Sequence, residues 1–352
     1  WMEQHIAAGH GASGRFGDHL WLDIRLLGRE HIDRRLREVK EICNFFLGID
    51  PAESLIPVRP AQHYSMGGVR TDHNGHSQGL RGLFAAGEAA CWDMHGFNRL
   101  GGNSVAETVV AGMIVGETMA DFCESDEGEM RLSSALVRDA GREVAERLTG
   151  IAGSTGGESA FELTRLMRST MTDNVGIFRQ GDRLERAVDE LAELQRRARN
   201  VSLRSSARGA NPELVAAYRL QRMLKLAQCV ALGAQRRTES RGAHYRADFP
   251  QRNDRDWLNR TLATWPDGDA LEPVLEYEAL DVTSMELPPG WRGYGARDHI
   301  DHPDTAARQR QVEELLAQQP HLDRYERQQV LMPFRHLLPE FLRGHNQRLG
   351  DS

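Results

Sequence analysis

Residues 82–107 read Gly82-Leu-Phe-Ala-Ala-Gly-Glu88, Ala89-Ala-Cys-Trp-Asp-Met94, His95-Gly-Phe-Asn-Arg-Leu-Gly-Gly-Asn-Ser104 and Val105-Ala-Glu107. The apolar run Leu83–Ala86, closed by Gly87 and Glu88, predicts a buried strand that delivers its C-terminal end to a loop. That loop runs from Ala89 to Asn103. Ser104-Val-Ala-Glu107 then spells S-x-x-E, the pattern in which a serine hydroxyl and a glutamate carboxylate reciprocally satisfy amides at a helix start. The helix body, with Val105, Val109, Val110, Met113, Ile114 and Val115, is apolar nearly all round and predicts burial on most faces. Free amides and the macrodipole at such a helix start attract negative charge. Arg99, in the glycine-rich loop before it, can hold a carboxylate through two parallel hydrogen bonds. An ordinary surface arginine beside a turn is the plainer reading of the same residue.

Upstream, Leu20, Leu22, Ile24 and Leu26 alternate with polar or bulky neighbours at the period of a strand. Ile32, Leu36, Val39, Ile42 and Phe46 follow at helical spacing, and Gly48, Asp50 and Pro51 end that run. Downstream of Glu124 the chain turns to amphipathic helices, with Leu184, Ala187, Val188, Leu191 and Leu194 on one face. Asn211 and Pro212 read as N-cap and first residue of a long helix reaching about Arg237. A strand is expected near Leu275, Tyr277 and Ala279, and polar helices near the C-terminus.

The 352 residues carry 44 Lys+Arg against 51 Asp+Glu, a formal net charge of -7, and 40% hydrophobic residues, with a mean hydropathy of -0.54. This balance excludes a nucleic-acid surface driven by bulk charge. No window approaches the roughly 18 uninterrupted apolar residues of a membrane span, so no direct membrane insertion is expected. Cys43, Cys91, Cys123 and Cys229 are widely spaced, which signals neither a disulfide scaffold nor a cysteine zinc site.

Three other groups invite a chemical reading. Gly9, Gly11 and Gly14 fit G-x-G-x-x-G, but a helix end precedes them and a strand follows, the wrong context for a dinucleotide turn. His73 and His76 lie in a polar turn whose spacing favours surface exposure over metal coordination. His63-Tyr-Ser-Met-Gly-Gly68 sets two glycines beside an imidazole, which suits either a close backbone approach to a ligand or a hairpin turn with a satisfied histidine.

Ile56-Pro-Val-Arg-Pro60, His63–Gly68, Gly82–Glu88 and His95–Ser104, together and in this order, resemble the flavoprotein subunit of fumarate reductase and succinate dehydrogenase. The resemblance continues through Asp173-Asn-Val-Gly-Ile-Phe-Arg179, Thr238-Glu-Ser-Arg-Gly-Ala-His244, Asp254–Trp257 and Tyr277–Asp281. Ala90–Arg99 and the tail Arg292-Gly-Tyr-Gly-Ala296 are most similar to the Wolinella-type quinol:fumarate reductases, which work with a dihaem cytochrome b.

The resemblance implies the second half of an α/β FAD-binding domain, then a helical domain and a small mixed C-terminal domain, with the end of a capping domain at the N-terminus. The corresponding divisions are residues 1–54, 55–125, 126–240 and 241–352, the first being the capping part. The implied cofactor is FAD, with Glu88, Asn103, Ser104 and Val105 contacting it and His63 and Arg99 binding the carboxylates of fumarate or succinate. The implied reaction moves a hydride between flavin N5 and a substrate carbon, and the implied partners are an iron-sulfur subunit and a dihaem cytochrome b subunit. Association with the cytoplasmic face of the inner membrane is then peripheral, through those partners. The family's ADP-binding turn and proton-donating arginine align before Trp1, so the chain is expected to be a C-terminal part that is inactive alone. Alternatives are L-aspartate oxidase, adenylylsulfate reductase, or a fragment that only docks partner subunits.

Overall fold

The computed structural model describes residues 1–14, 17–125, 133–207 and 209–280, with residues 310, 314, 317 and 318. The Arg292–Ala296 motif, the expected polar C-terminal helices and Asp281 of the Tyr277–Asp281 motif lie outside the described residues. The chain divides into two compact units, residues 1–63 and 64–352.

In the first unit α1 (Met2–His5) runs on through a π-helical turn to His10, with Gly9 at φ 81°. Strands β1 (Ala12–Gly14), β2 (Gly17–Leu22) and β3 (Ile56–Val58) form an antiparallel sheet with Leu20 opposite Val58 and Leu22 opposite Ile56. Gly14 therefore sits in a strand, where a Cβ would meet the His19 ring at 3.0 Å, and no helix follows it. The strand expected to reach Leu26 stops at Leu22. Asp23 accepts the Arg25 amide at 3.0 Å and pairs with its guanidinium at 2.8 Å, and this local competition turns the backbone into a 3-10 turn.

The helix expected from Ile32 to Phe46 is broken. Leu36, at φ -123° and ψ 32°, separates α2 (Arg29–Arg35) from α3 (Arg37–Ile42), and a π-helical turn carries the chain to Gly48 at φ 70°. The break rotates the apolar face, so Ile32 and Cys43 are buried while Ile42 and Phe46 are exposed.

The second unit opens on a parallel pair, β4 (Val69–Arg70) with β5 (Ala90–Cys91). The strand expected at Leu83–Ala86 is not formed: Phe84 makes one bridge to His76, and Leu83 is exposed. A buried strand needs ladders along both edges, and here this run meets the Asp72–Ser77 turn, with Ala85 N bonded to Gly75 O at 3.0 Å.

Helix α4 (Asn103–Glu124) follows, and it too departs from expectation. Glu107, Ala111 and Val115 are buried, whereas Val105, Val109, Val110, Met113 and Ile114 are exposed. An apolar pattern records what a face prefers, and the described residues cover one stripe of it.

Helices α5 (Ser134–Gly153), α6 (Ala160–Asn174), α7 (Gly181–Arg197) and α8 (Pro212–Arg236) form the helical part. Leu184, Ala187, Val188, Leu191 and Leu194 of α7 are all buried, packing with Leu163, Leu220 and Leu224 as the main core. Asn211 caps α8, its Oδ1 accepting from Leu214 N at 3.2 Å with Pro212 at the first position, as the sequence predicts. A short α9 (Asp254–Trp257) leads to β6 (Asn259–Thr264), which pairs antiparallel with the expected strand β7 (Val274–Ala279). Mixed α/β structure followed by a helical domain is the expected architecture.

Candidate functional site

Within the second unit, Gly68 has φ 139°, and a Cβ there would stand 2.4 Å from Ala89 O. Its freedom thus serves the chain's own close approach at the β4–β5 junction rather than a ligand. Glu88 lies in the turn Gly87–Ala89, and its Oε1 accepts from Ser65 N at 2.7 Å. Gly87, at φ 65°, abuts Thr108, so the Glu88 turn rests against the first turns of α4, where Asn103, Ser104 and Val105 lie. The structure therefore sets the Glu88 turn against α4 at Thr108, one helical turn beyond Ser104.

Ser104 is not the cap. Gly102, in the left-handed region at φ 84°, precedes the helix and provides no side-chain bond to its amides. The reciprocal partner is also absent, because the Glu107 carboxylate is engaged elsewhere. Its Oε2 accepts from Tyr64 Oη at 2.8 Å and lies 2.8 Å from His95 Nε2, and its Oε1 accepts from Trp92 Nε1 at 3.0 Å. Among the described residues no side chain caps the start of α4, where Asn103 N bonds to Leu100 O at 3.2 Å.

Arg99 stands over the Tyr64 ring, its guanidinium carbon 4.6 Å from the centroid, and donates from Nη1 to Leu100 O at 2.8 Å. Its Nε is buried and has no hydrogen-bond partner among the described residues. Glu3 Oε2, His19 Nε2, Thr71 Oγ1 and Gln228 Oε1 share that state, and Arg99 Nε is set apart from them by its place in the glycine-rich loop. His63 is exposed and ends the first unit, as Tyr64 begins the second.

The loop that carries Arg99 is fixed at three points. Asp93, with φ 73°, pairs with Arg260. His95 meets Glu107 as described. Phe97 packs against Gly242, where a Cβ would approach the Phe97 Cβ to 2.8 Å, and Phe97 O accepts from Ala243 N at 3.4 Å.

Behind Gly242 lies a knot of buried charge. Glu239, fully buried, accepts from Arg237 at 2.8 Å, Arg241 at 2.9 Å and Asn253 N at 2.9 Å. Arg241 also reaches Asp254 at 2.7 Å, and the Arg237 guanidinium lies 5.0 Å from the Phe97 ring centre.

His244 sits in the same knot, its Nδ1 2.7 Å from Arg179 Nη1 and its Nε2 3.3 Å from Arg237 O. Burial, then the charge of Arg179, lowers its pKa to about 4 from 6.5. The unfolded chain therefore binds a proton near pH 6.5 that the folded chain refuses until about pH 4, so the stabilisation is complete above 6.5 and is lost as pH falls. Arg179, Arg237 and Arg246 all weigh against the protonated ring. Urea unfolding between pH 7.5 and 4.5 is expected to show a loss approaching about 3 kcal/mol, and His244→Gln is expected to flatten that slope.

Among the described residues, no three side chains of metal-ligating type gather. His76 lies with its ring 4.7 Å from Phe84 and its Nδ1 3.4 Å from Asp72. Sequence reading missed Tyr64, Trp92 and the hub role of Glu107. The available signal was a carboxylate among the apolar first turns of the helix, downstream of a tryptophan, a tyrosine and a histidine.

Comparison with known proteins identifies the family to which the chain is similar. Residues 1–105 match the profile of an FAD binding domain, and residues 164–294 that of the fumarate reductase flavoprotein C-terminal region. The fumarate reductase flavoprotein subunit of Helicobacter pylori is 44% identical over 99% of this chain and 52% of its own length. A solved quinol fumarate reductase from E. coli superposes with a TM-score of 0.74 at 34% identity, covering 80% of this chain and 48% of that one. Adenylylsulfate reductase from Archaeoglobus fulgidus, at 17% identity and a TM-score of 0.55, shares the fold alone. The chain spans about half the length of the curated relatives it matches. With the chain similar throughout its length to these flavoprotein subunits, and with both family regions in order along it, it belongs to the fumarate reductase flavoprotein family.

Proposed function

We propose that this chain carries the dicarboxylate clamp and part of the flavin site of a quinol:fumarate reductase flavoprotein, which interconverts fumarate and succinate. The observation that carries the reading is the buried Nε of Arg99, without a partner among the described residues and held over Tyr64 in a triply anchored loop, beside a start of α4 that no described side chain caps. A planar dianion needs fixed positive charge, and the Arg99 fork supplies two parallel donors to one carboxylate. By the family resemblance alone, His63 is proposed to bind a substrate carboxylate. Holding the substrate by its carboxylates orients the reacting carbon, which turns binding contacts into rate.

The residues present fit FAD. The first-turn amides of α4 at Ser104 and Val105, with Asn103 beside them, suit the electron-rich pyrimidine edge of a flavin, because a helix N-terminus favours negative charge. Glu88 borders the same corner through its turn against Thr108. When bound, the flavin supplies the hydride donor and acceptor at N5. The proton given to the other substrate carbon is assigned to no residue of this chain.

Residues 1–54, 55–125, 126–240 and 241–352 are proposed as capping, FAD-binding, helical and C-terminal parts. Exchange of electrons with an iron-sulfur subunit and a dihaem cytochrome b subunit, peripherally at the cytoplasmic face of the inner membrane, completes the proposal. The quinol link draws on the name of the E. coli neighbour, a quinol fumarate reductase, and the two subunits on the likeness of Ala90–Arg99 to the Wolinella-type enzymes. No helix among the described residues is long and apolar enough to cross a membrane.

The test is the flavin spectrum of the full-length polypeptide containing this chain. Succinate is expected to bleach it and fumarate to restore it. Bleaching by L-aspartate, or by sulfite with adenosine monophosphate, with no response to succinate would sink the proposal.

A further inference from the structure

Glu107 has no part in the clamp as proposed, yet it is 3% exposed and binds side chains from two other segments. One oxygen takes Trp92, and the other takes Tyr64 and His95. A buried carboxylate is costly unless its lone pairs are met, and hydrogen bonds to an ionised acceptor are the strong ones. Burial alone would raise the Glu107 pKa, but bonds from His95, Trp92 and Tyr64 outweigh it and hold the carboxyl below the ordinary glutamate value. Burial, followed by the bond to Glu107, pushes Tyr64 up to about 12, so its phenol stays a donor at neutral pH.

The consequence falls on Arg99. Its guanidinium lies over the ring that Glu107 fixes, 4.6 Å from the centroid. A carboxylate placed directly on Arg99 would cancel the charge that a ligand needs. An aromatic face orients the cation through its quadrupole and leaves that charge available.

We propose that Glu107 is a positioning residue of the dicarboxylate site, orienting Arg99 through Tyr64 and the Arg99 loop through Trp92 and His95. The inference rests on the reading of Arg99 as the carboxylate clamp.

The experiment uses the full-length FAD-loaded polypeptide and the unreactive dicarboxylate malonate, with Arg99→Ala as reference. Glu107→Gln keeps the size of the side chain but turns one acceptor into a donor. It is expected to raise KM for fumarate and Kd for malonate about tenfold, the scale of one lost orienting contact of roughly 1.4 kcal/mol. Its kcat should stay within about threefold and its bound FAD unchanged, the signature of lost uniform binding. Tyr64→Phe keeps the ring and removes the hydroxyl, so it carries the same test if Glu107→Gln does not fold. The double variant is expected to be no worse than the weaker single one, since both break one chain of contacts. Multiplying effects, a fall in kcat at unchanged KM, or normal malonate binding by Glu107→Gln where Arg99→Ala has lost it would overturn the inference alone. Normal malonate binding by Arg99→Ala would overturn the clamp, and this inference with it.

Discussion

Arg99→Ala is expected to lower kcat/KM for fumarate by about 10²–10³-fold, roughly 3–4 kcal/mol, the range for truncating one partner of a desolvated charge pair. The scale follows from geometry. Arg99 offers its fork beside a helix start without a side-chain cap, and its buried Nε lacks an acceptor among the described residues. Arg99→Lys should recover little, because an ammonium cannot make the planar two-bond contact. Stability should hardly change, since the loop is anchored through Asp93, His95 and Phe97 rather than through Arg99. Steady-state kinetics with a thermal melt of each variant checks both halves, and an unchanged kcat/KM would remove Arg99 from the site.

Glu239→Ala is expected to cost about 3–5 kcal/mol of unfolding free energy, because removing one member of a buried ion network strands the others. The stranded groups are Arg237, 3% exposed, and Arg241, whose guanidinium Glu239 grips through both oxygens. Asn253 N also loses its acceptor. Burial already lowers the Arg237 pKa, and the bond to Glu239 opposes that shift. Arg237 in turn faces Phe97, so the damage should reach the Arg99 loop and raise KM as well. Denaturant unfolding with fumarate kinetics tests this, and a loss below about 1 kcal/mol, the scale of an ordinary surface change, would show that the network is not the anchor.

The helical core was legible because its information is local and periodic. Leu184, Ala187, Val188, Leu191 and Leu194 recur on one face, and that face is the buried one. Asn211 and Pro212 likewise act on amides within a turn of themselves. Ser104 and Glu107 show the opposite case. Their spacing encodes a reciprocal cap, but donors 15 and 43 residues away in sequence claim the carboxylate. A four-residue pattern contains nothing about Trp92 or Tyr64, so the longer-range contact wins unseen.

Leu83–Ala86 fails for a related reason, since an apolar run becomes a strand through its neighbours. Strand β6, Asn259–Thr264, carries no clean alternation and is defined by its pairing with β7. At the candidate site, Arg99 and the α4 start were readable as chemistry. Of the knot, Glu239 and Arg241 stand in the shared motif Thr238–His244 while Arg237 reads only as a helix end, and the knot's hold on Phe97 comes from contacts across the unit.

Ionic strength acts unequally on the charges that hold this molecule. Pairs on the helix surface, such as Arg196 with Glu193 and Arg142 with Asp139, are more than half exposed at both partners, and a Debye length that shrinks to about 3 Å in molar salt removes most of their attraction. Arg237 and Glu239, at 3% and 0% side-chain exposure, are beyond the reach of mobile counterions. Salt should therefore loosen the outer faces of α5 and α7 while the Phe97 anchorage stays taut. Of the loop's three anchors the Asp93–Arg260 pair, with Asp93 44% exposed, is the one open to screening, so any weakening of dicarboxylate affinity with salt measures screening of the ligand's own charges and of that pair.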